Sequence, residues 1–447
     1  MNTRSLIFWK QFHQSVLDWH FWPKGGRRNQ MILAISLSFI SVLVYAQDST
    51  VYWNHVDKLC SNEFHGRGYV NQGDGVAADY LKANFQKLGL ESMGDSFFQS
   101  FTMPVNTFPN DISLSVDGKS FVAGVDFIPV SYSASGSCIC DLMRMEDAIF
   151  VDKKSQKQFL KIDVSQKVLV FTSEQLAELA QSSADIRGQV AKAKATIELT
   201  KHEPMATPST TQKKMVRFQF KEERFPENAT KINYAIKSEF ISKYETQNVV
   251  GMIEGKVWSD SFIVVTAHYD HIGEIGSKAI FRGANDNASG TSMLLMLAEY
   301  FSKAENQPDY SIVFIGFAAE EAGLIGSKYF VDHPLVPLQR IHFLLNIDLV
   351  GAGSEGAQVV NSTIHTQAFE VLKAINDEKG YLPKLKKRGK AANSDHYFFS
   401  EAGVPAFFIY SLGEVGGYHS VLDTPEELER GNVNKLFSLF RDFLKEI

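Results

Sequence analysis

Cysteine is scarce in this chain. Its 447 residues include three cysteines, Cys60, Cys138 and Cys140. So small a number, at this spacing, fits neither a disulfide framework nor a set of zinc fingers. The sequence therefore predicts a fold that is stabilised by the packing of its core rather than by cross-links.

The chain also lacks an excess of positive charge. It has 45 Lys and Arg against 51 Asp and Glu, a formal net charge of −6. Because nucleic-acid-binding domains need a basic patch that meets the phosphate backbone, we expect no nucleic-acid partner. With 44% hydrophobic and 21% charged residues, the composition is that of a globular protein. At about 100–200 residues per domain, the length allows two or three domains.

A long apolar run, MILAISLSFISVLVYA, occupies residues 31–46 and follows Lys24, Arg27 and Arg28. Basic residues before an apolar run that ends in small residues are typical of an export signal. We predict a signal peptide with a long amino-terminal region over residues 1–46, and a periplasmic or secreted protein without a stable membrane span. An uncleaved membrane anchor is the alternative, although a spanning helix needs about 20 apolar residues.

The pattern of the remaining chain changes twice. Residues 112–244 contain short β-rich segments, whereas strands that are apolar at consecutive positions alternate with helical patterns from Asn248 onward. Such strands are typical of a sheet that is covered on both faces. We predict an α/β fold, a three-layer sandwich with a mostly parallel mixed central sheet. Residues 47–111 are expected to begin this main domain, 112–244 to form an inserted β-rich lobe, and 245–447 to complete the main domain.

Periodic apolar residues predict the helices of the main domain. The expected helices are Val76–Leu88, Gly290–Ser302, Ala322–Val331, Thr366–Glu378, Ser394–Ala402 and Val433–Lys445.

Histidines and carboxylates follow the predicted strands. They are His268 and Asp270 in FIVVTAHYD, Asp286 in the loop GANDNASG, Glu320 and Glu321 in SIVFIGFAAEE, Asp348 in FLLNIDLVG, and His419 beyond the last strand. Taken singly, each has an ordinary structural explanation, such as a turn or a helix cap. Because ligands bind at the carboxyl ends of the strands in such sheets, we expect these side chains to meet. Two histidines with several carboxylates are donors that suit zinc.

Two zinc ions about 3.5–4 Å apart need one group that donates an oxygen to each ion. Asp286, a short acid on a glycine-flanked loop, is the candidate for this bridge. The remaining donors then divide into His268 and Asp348 on one ion, and Glu321 and His419 on the other.

Two further residues are assigned to catalysis. Asp270 can accept the second N–H of the His268 ring and so orient it. Glu320 and Glu321 are neighbours whose side chains diverge, so one can bind metal while the other faces the open position. We predict Glu320 as the general base that takes a proton from water and returns it to the leaving amine.

Six segments resemble the di-zinc exopeptidases of metallopeptidase family 28, which include secreted leucyl aminopeptidases, aminopeptidase Y and glutamate carboxypeptidase II. In order they are AHYDHIG (267–273), GANDNASG (283–290), AAEEAGLIGS (318–327), NIDLVG (346–351), NSDHYFFSEAGVP (393–405) and YHSVLDTPE (418–426). The resemblance covers residues 248–447. It implies the zinc-exopeptidase fold over the main domain, with residues 245–447 as its catalytic core.

The resemblance also implies roles for individual residues. It makes His268, Asp286, Glu321, Asp348 and His419 the ligands of two zinc ions, Glu320 the general base and Asp270 its catalytic support. It further implies a cis peptide bond between Asp286 and Asn287, and a place beside the site for Asp395 and His396.

The function that this resemblance implies is an aminopeptidase that hydrolyses N-terminal residues of peptides with water activated by two zinc ions. A carboxypeptidase or an amidohydrolase acting on acylated amino acids is the alternative, because the ions would serve any amide carbonyl. Glutaminyl cyclases and receptor-like relatives lack the full ligand set that is present here. The insert at 112–244 shows no clear signature of the protease-associated domain found in many relatives, and either a cap over the site or a spacer fits it.

Overall fold

Two large β-sheets organise the chain, which a computed structural model describes over residues 49–447. The export signal predicted over residues 1–46 lies outside the described residues. The described strands are β1 (Glu91–Ser92), β2 (Phe98–Thr107), β3 (Ser113–Val116), β4 (Lys119–Phe121), β5 (Phe127–Pro129), β6 (Gly136–Arg144), β7 (Lys167–Thr172), β8 (Ala195–Thr200), β9 (Val216–Lys221), β10 (Lys231–Ile236), β11 (Glu239–Ile253), β12 (Trp258–His268), β13 (Gly273–Ile275), β14 (Ala279–Phe281), β15 (Tyr310–Phe317), β16 (Ile341–Ile347), β17 (Gly356–Val360), β18 (Leu385–Lys387) and β19 (Ala406–Leu412).

The α-helices occur before the first strand, between strands of the second sheet, between strands of the first sheet, and after the last strand. They are α1 (Ser49–Leu59), α2 (Gly73–Lys87), α3 (Ala148–Val151), α4 (Lys153–Phe159), α5 (Ser173–Gln181), α6 (Ala184–Val190), α7 (Gly290–Phe301), α8 (Ile325–Asp332), α9 (Thr366–Lys379), α10 (His396–Glu401) and α11 (Val433–Glu446). No helix among residues 49–447 is long and apolar enough to cross a membrane.

The first sheet has the order β1-β11-β15-β12-β16-β19-β17-β18, with β2 also paired to β11. Its central strands β15, β12, β16 and β19 run parallel, whereas β11 and β17 pair antiparallel with their neighbours in this group. Parallel strands place their carboxyl ends at one edge of the sheet, and this edge carries the predicted site residues.

Helices cover both faces of the first sheet. Along β12, Ile263 and Val265 belong to the core that contains the apolar side chains of α1, α2, α7, α9 and α11. Phe262 and Val264 alternate with them and belong to the core that contains side chains of α8 and α10. Alternate residues of a strand point to opposite faces, so a run of consecutive apolar residues serves both cores. The α/β sandwich with a mixed sheet is confirmed.

The predicted helices are present, with small shifts at their ends. The largest shifts are at the starts of α2, which begins at Gly73 rather than Val76, and of α8, which begins at Ile325 rather than Ala322. Gly323 and Leu324 have φ of 109° and 60°, values in the left-handed region that no helical turn adopts. The chain therefore turns sharply after Glu321 before the helix begins.

The second sheet has the order β4-β3-β10-β6-β7-β8-β9-β5, and its strands from β6 to β9 run parallel. Helices α3 to α6 contribute to an apolar core with residues of β6 and β7, such as Met143 and Leu169. The strands lie within the predicted insert, whose boundaries at 112 and 244 stay a prediction.

A disulfide joins Cys138 and Cys140 on β6, with their Cα atoms 5.6 Å apart. Residues two apart on a strand share a face, which brings the sulfur atoms together. The small number of cysteines did not lead us to expect this bond. Cys60 is buried and free.

The central strands should carry much of the folding free energy. Leu345 on β16 is fully buried, so Leu345→Ala should lower the free energy of unfolding by about 2–5 kcal/mol. Val257→Ala is the control, because Val257 is 56% exposed and should change stability by less than about 0.5 kcal/mol. Urea unfolding followed by circular dichroism measures both. Equal midpoints for the two variants would contradict this placement of the core.

Candidate metal centre and active site

The predicted site residues meet at the carboxyl edge of the parallel strands. His268 ends β12, Asp348 follows β16 directly, and Glu320 and Glu321 follow β15 after a short turn. Asp286 lies in the irregular helical turn Ala284–Ser289, immediately before α7. His419, the other predicted ligand, lies in the loop after β19 and contacts this group.

The distances within this group form two halves that share Asp286. His268 Nε2 lies 3.3 Å from Asp286 Oδ1 and 3.3 Å from Asp348 Oδ1. His419 Nε2 lies 3.2 Å from Asp286 Oδ2 and 2.9 Å from Glu321 Oε2. Donor atoms on one tetrahedral zinc ion are about 3.3 Å apart, given bonds of about 2.0–2.1 Å. Asp286 thus presents one oxygen to each half, as a bridging ligand must.

The cluster carries more acid than its histidines can balance. Five buried carboxylates surround the imidazole rings of His268, His271 and His419. They belong to Asp270, Asp286, Glu321, Asp348 and Asp395. Burial raises the pKa of Glu320 well above its usual value. The carboxylates of Asp395, Glu321 and Asp348 raise this pKa further, whereas His268 lowers it. Buried charges of this kind are normally paired or bound to metal.

The donor set fits a metal ion. His268, Asp286 and Asp348 form one group of donors that could hold a cation, and His271, Asp286 and Glu321 form a second. Nitrogen and carboxylate oxygen together are donors that zinc accepts.

A family model matches the segment that carries all of these residues. Residues 248–444 match the model described as Peptidase family M28. This segment belongs to peptidase family M28. The resemblance seen in the sequence is confirmed.

Two curated relatives are similar over the same part of the chain. Aminopeptidase YwaD of Bacillus subtilis is 32% identical over 199 residues, 43% of this chain and 42% of the relative. A probable leucine aminopeptidase of Arthroderma otae is 28% identical over 221 residues, 46% of this chain and 58% of the relative. The alignments therefore span only about half the length of these curated relatives.

Solved structures share the fold over a longer stretch. The crystal structure of a zinc aminopeptidase from Bacillus subtilis has a TM-score of 0.66 at 22% identity, covering 90% of this chain and 95% of that one. An aminopeptidase from Aneurinibacillus has a TM-score of 0.59 at 20% identity, covering 89% and 93%. At these identities the likeness shows the fold, and it reaches well beyond the M28 segment.

Asp270 supports the cluster mainly by binding the backbone of the two glutamates. Its carboxylate accepts hydrogen bonds from the backbone N–H groups of Glu320 and Glu321, at 3.1 and 3.3 Å. Its carboxylate oxygen lies 3.7 Å from His268 Nδ1, while that nitrogen donates to the Asp270 carbonyl at 3.2 Å. Asp270 therefore holds the turn of the two glutamates, and its main chain orients the His268 ring.

His271 belongs to this cluster, and the sequence analysis did not single it out. It is fully buried, and its Nδ1 lies 2.6 Å from Glu321 Oε1. This separation is that of a hydrogen bond and is shorter than the spacing of two donors on one zinc ion. His271 thus fixes one oxygen of Glu321 and leaves Oε2 facing His419. Its place three residues after His268 in AHYDHIG was the available signal.

The loop of Asp286 is held from two sides. The Asp286–Asn287 peptide bond is cis, as the family resemblance implied. The carboxylate of Asp423 accepts the backbone N–H groups of Asn285 and Asp286, at 2.8 and 3.0 Å. Arg67 donates to the carbonyls of residues 269, 282 and 283, at 2.8, 2.6 and 2.7 Å.

His419 is held by the connection between β8 and β9. Its Nδ1 lies 3.3 Å from Thr207 Oγ1, and its carbonyl accepts the N–H of Ala206 at 3.0 Å. The Tyr418 ring stacks on the imidazole with centroids 4.0 Å apart. Residues 201–214, which belong to the connection between β8 and β9 in the predicted insert, therefore reach the site.

Ser394 contributes to the site, although the sequence analysis did not single it out. Ser394 Oγ donates to Asp348 Oδ2 at 2.8 Å and accepts from the Asn346 amide at 2.7 Å. Asp395 and His396 are buried nearby, and within the described residues no hydrogen bond joins either to the predicted ligands.

Arg67 should be needed for the loop that carries Asp286. Arg67→Met removes the donors of several buried carbonyls, so the free energy of unfolding should fall by about 3 kcal/mol or more. Arg340→Met, which removes an exposed arginine paired with Asp260, should cost at most about 1 kcal/mol. Denaturant unfolding compares the two, and hydrogen exchange at residues 283–290 reports on the loop. A variant at Arg67 as stable as the one at Arg340 would refute this role.

Proposed function

We propose that the chain is a zinc-dependent aminopeptidase, which hydrolyses the N-terminal residue of a peptide at a pair of zinc ions. The observation that carries this proposal is the division of the cluster into two halves joined by the two oxygens of Asp286. His268 and Asp348 would complete the first site, and Glu321 and His419 the second. The relatives named as aminopeptidases favour removal of N-terminal residues over the other amide hydrolyses.

Zinc ions bound here would polarise the scissile carbonyl and lower the pKa of water. The protein supplies the proton transfers. Glu320 lines a cavity of about 260 Å³ beside the cluster, together with Asp286 and Asp348. A carboxylate in this place can accept the proton of the attacking water and return it to the leaving amine.

The surrounding residues keep Glu320 and Glu321 in different roles. Asp270 binds both backbone N–H groups, so the turn that carries them is rigid. Glu321 Oε1 is hydrogen-bonded to His271, and Glu321 Oε2 lies beside His419. This arrangement is suitable for a residue that binds a metal ion. Glu320 has neither contact and is directed to the cavity that would hold the substrate.

Substitution of the two glutamates separates these roles. Glu320→Gln keeps the shape of the side chain but removes the base, so turnover should fall by roughly 10²–10⁴-fold with two zinc ions per chain retained. Glu321→Gln should lose zinc, because a ligand has gone. Elemental analysis measures zinc per chain, and hydrolysis of chromogenic aminoacyl amides measures turnover.

Three results would count against the proposal. Near wild-type turnover in Glu320→Gln would remove this residue from the mechanism. Loss of metal in the Glu320 variant rather than the Glu321 variant would reverse the roles. A wild-type protein that holds two zinc ions and cleaves acylated amino acids but no aminoacyl amide would make it an amidohydrolase.

We further propose that the protein acts after export. The basis is the apolar run at 31–46 with its preceding basic residues. Expression in a bacterial host should place the protein outside the cytoplasm with Gln47 as its first residue, which amino-terminal sequencing measures. Retention of residues 1–46 in a membrane fraction would instead identify an uncleaved anchor.

A further inference from the structure

The cavity beside the metal cluster has a mixed lining. Glu320 and Asp348 of the cluster contribute to it, together with Phe408, Tyr410 and Arg388. Its volume of about 260 Å³ is below the roughly 300–1,000 Å³ of sites for drug-sized ligands. A cavity of this size beside the reacting groups accommodates a single amino-acid side chain.

Arg388 is held firmly at the edge of this cavity. Its backbone N–H donates to the carbonyl of Val359 and to Ser362 Oγ, both at 3.0 Å. Its Nη1 donates to the Tyr410 hydroxyl at 3.0 Å, and the guanidinium carbon lies 6.0 Å from the centroid of that ring. Phe408 and Tyr410 are two residues apart on β19 and so share a face. The guanidinium is thereby fixed beside the Tyr410 ring, whose centroid lies 5.3 Å from that of Phe408.

Among residues 49–447, the charge of Arg388 has no acidic partner. Within the part of the chain that the structure describes, no carboxylate lies within 4.0 Å of its guanidinium, whereas the neighbouring Lys387 and Lys390 pair with Glu370 and Glu401. The guanidinium stays protonated at every physiological pH, so its charge is permanent. An exposed arginine with one fixed N–H group and several free ones is prepared to bind a carboxylate in the two-pronged manner that guanidinium favours.

We propose that this cavity receives the side chain of an acidic N-terminal residue, Asp or Glu, and that Arg388 binds its carboxylate. The proposal rests on the proposed aminopeptidase function, because it names the substrate class of the same site. The methylene groups of such a side chain would contact Phe408 and Tyr410, while the carboxylate reaches the guanidinium. The carboxylates of Asp286 and Asp348, which also line the cavity, would be bound to zinc and would not compete for Arg388.

The decisive experiment compares substrates that differ only in charge. Glutamyl and glutaminyl chromogenic amides have nearly the same shape, and the wild-type kcat/KM should favour the glutamyl amide by roughly tenfold, as one charge-assisted contact provides. Arg388→Met should abolish this preference, and Arg388→Lys should restore part of it. Lys387→Met is the matched control, because it removes a nearby positive charge that is already paired, and it should keep the wild-type ratio.

Binding provides a readout that does not depend on turnover. Calorimetry on the zinc-loaded protein should show roughly tenfold tighter binding of L-glutamate than of L-glutamine, and Arg388→Met should remove the difference. Equal affinities in the wild-type protein, or an unchanged preference in the Arg388→Met variant, would overturn the proposal. A protein that prefers glutamate but hydrolyses neither amide would retain this inference and lose the proposed function.

A second pair of substrates tests where the bound carboxylate comes from. Gln-Ala and Gln-Ala-amide differ only at the carboxyl terminus, and Arg388→Met should leave the ratio of their kcat/KM values unchanged. If the substitution lowers this ratio instead of the glutamyl-to-glutaminyl ratio, Arg388 binds the carboxyl terminus of short peptides, and the assignment to an acidic first residue is wrong.

Discussion

The burial of several carboxylates in one place is the constraint on which the rest of the site depends. Asp270, Asp286, Glu321 and Asp348 are all nearly inaccessible to solvent, with His268 and His419 between them. Removing charged groups from water costs several kcal/mol each unless opposite charge compensates them. The histidines supply part of this compensation, and a pair of bound cations would supply the rest. The acids are therefore arranged for metal, and the fold must hold them at ligand spacing against their mutual repulsion.

Neutral hydrogen-bond donors and one buried cation provide that support. Backbone N–H groups donate hydrogen bonds to the carboxylates of Asp270 and Asp423, and the Ser394 hydroxyl donates one to Asp348. Arg67 adds a positive charge behind the Asp286 loop but binds only carbonyl oxygens of its neighbours. Glu321 and Asp348 are each fixed through one carboxylate oxygen, by His271 and by Ser394, which leaves the other oxygen free to act as a ligand.

The second sheet contacts the site through the connection between β8 and β9. The residues that join β8 and β9 hold His419 by a side-chain contact from Thr207 and a backbone hydrogen bond from Ala206. His419 has a φ of 55°, a left-handed value that is uncommon outside glycine. Contacts from both sheets therefore maintain the ring on which the second half of the cluster depends. Residues 201–214 of the predicted insert therefore have a structural role at the site.

The sequence by itself determined the α/β class, most helices of the main domain and the meeting of the strand-end acids and histidines. These follow from local periodicity and from one general rule, that parallel strands align their carboxyl ends. It could not supply Arg67, Thr207 or Asp423 as supports, nor bring Arg388 to the cavity. Those contacts join residues that lie far apart in the chain, such as Arg67 with Gly283 and Thr207 with His419. Only tertiary structure decides them, because no local pattern records which distant side chain will fill the space behind a given loop.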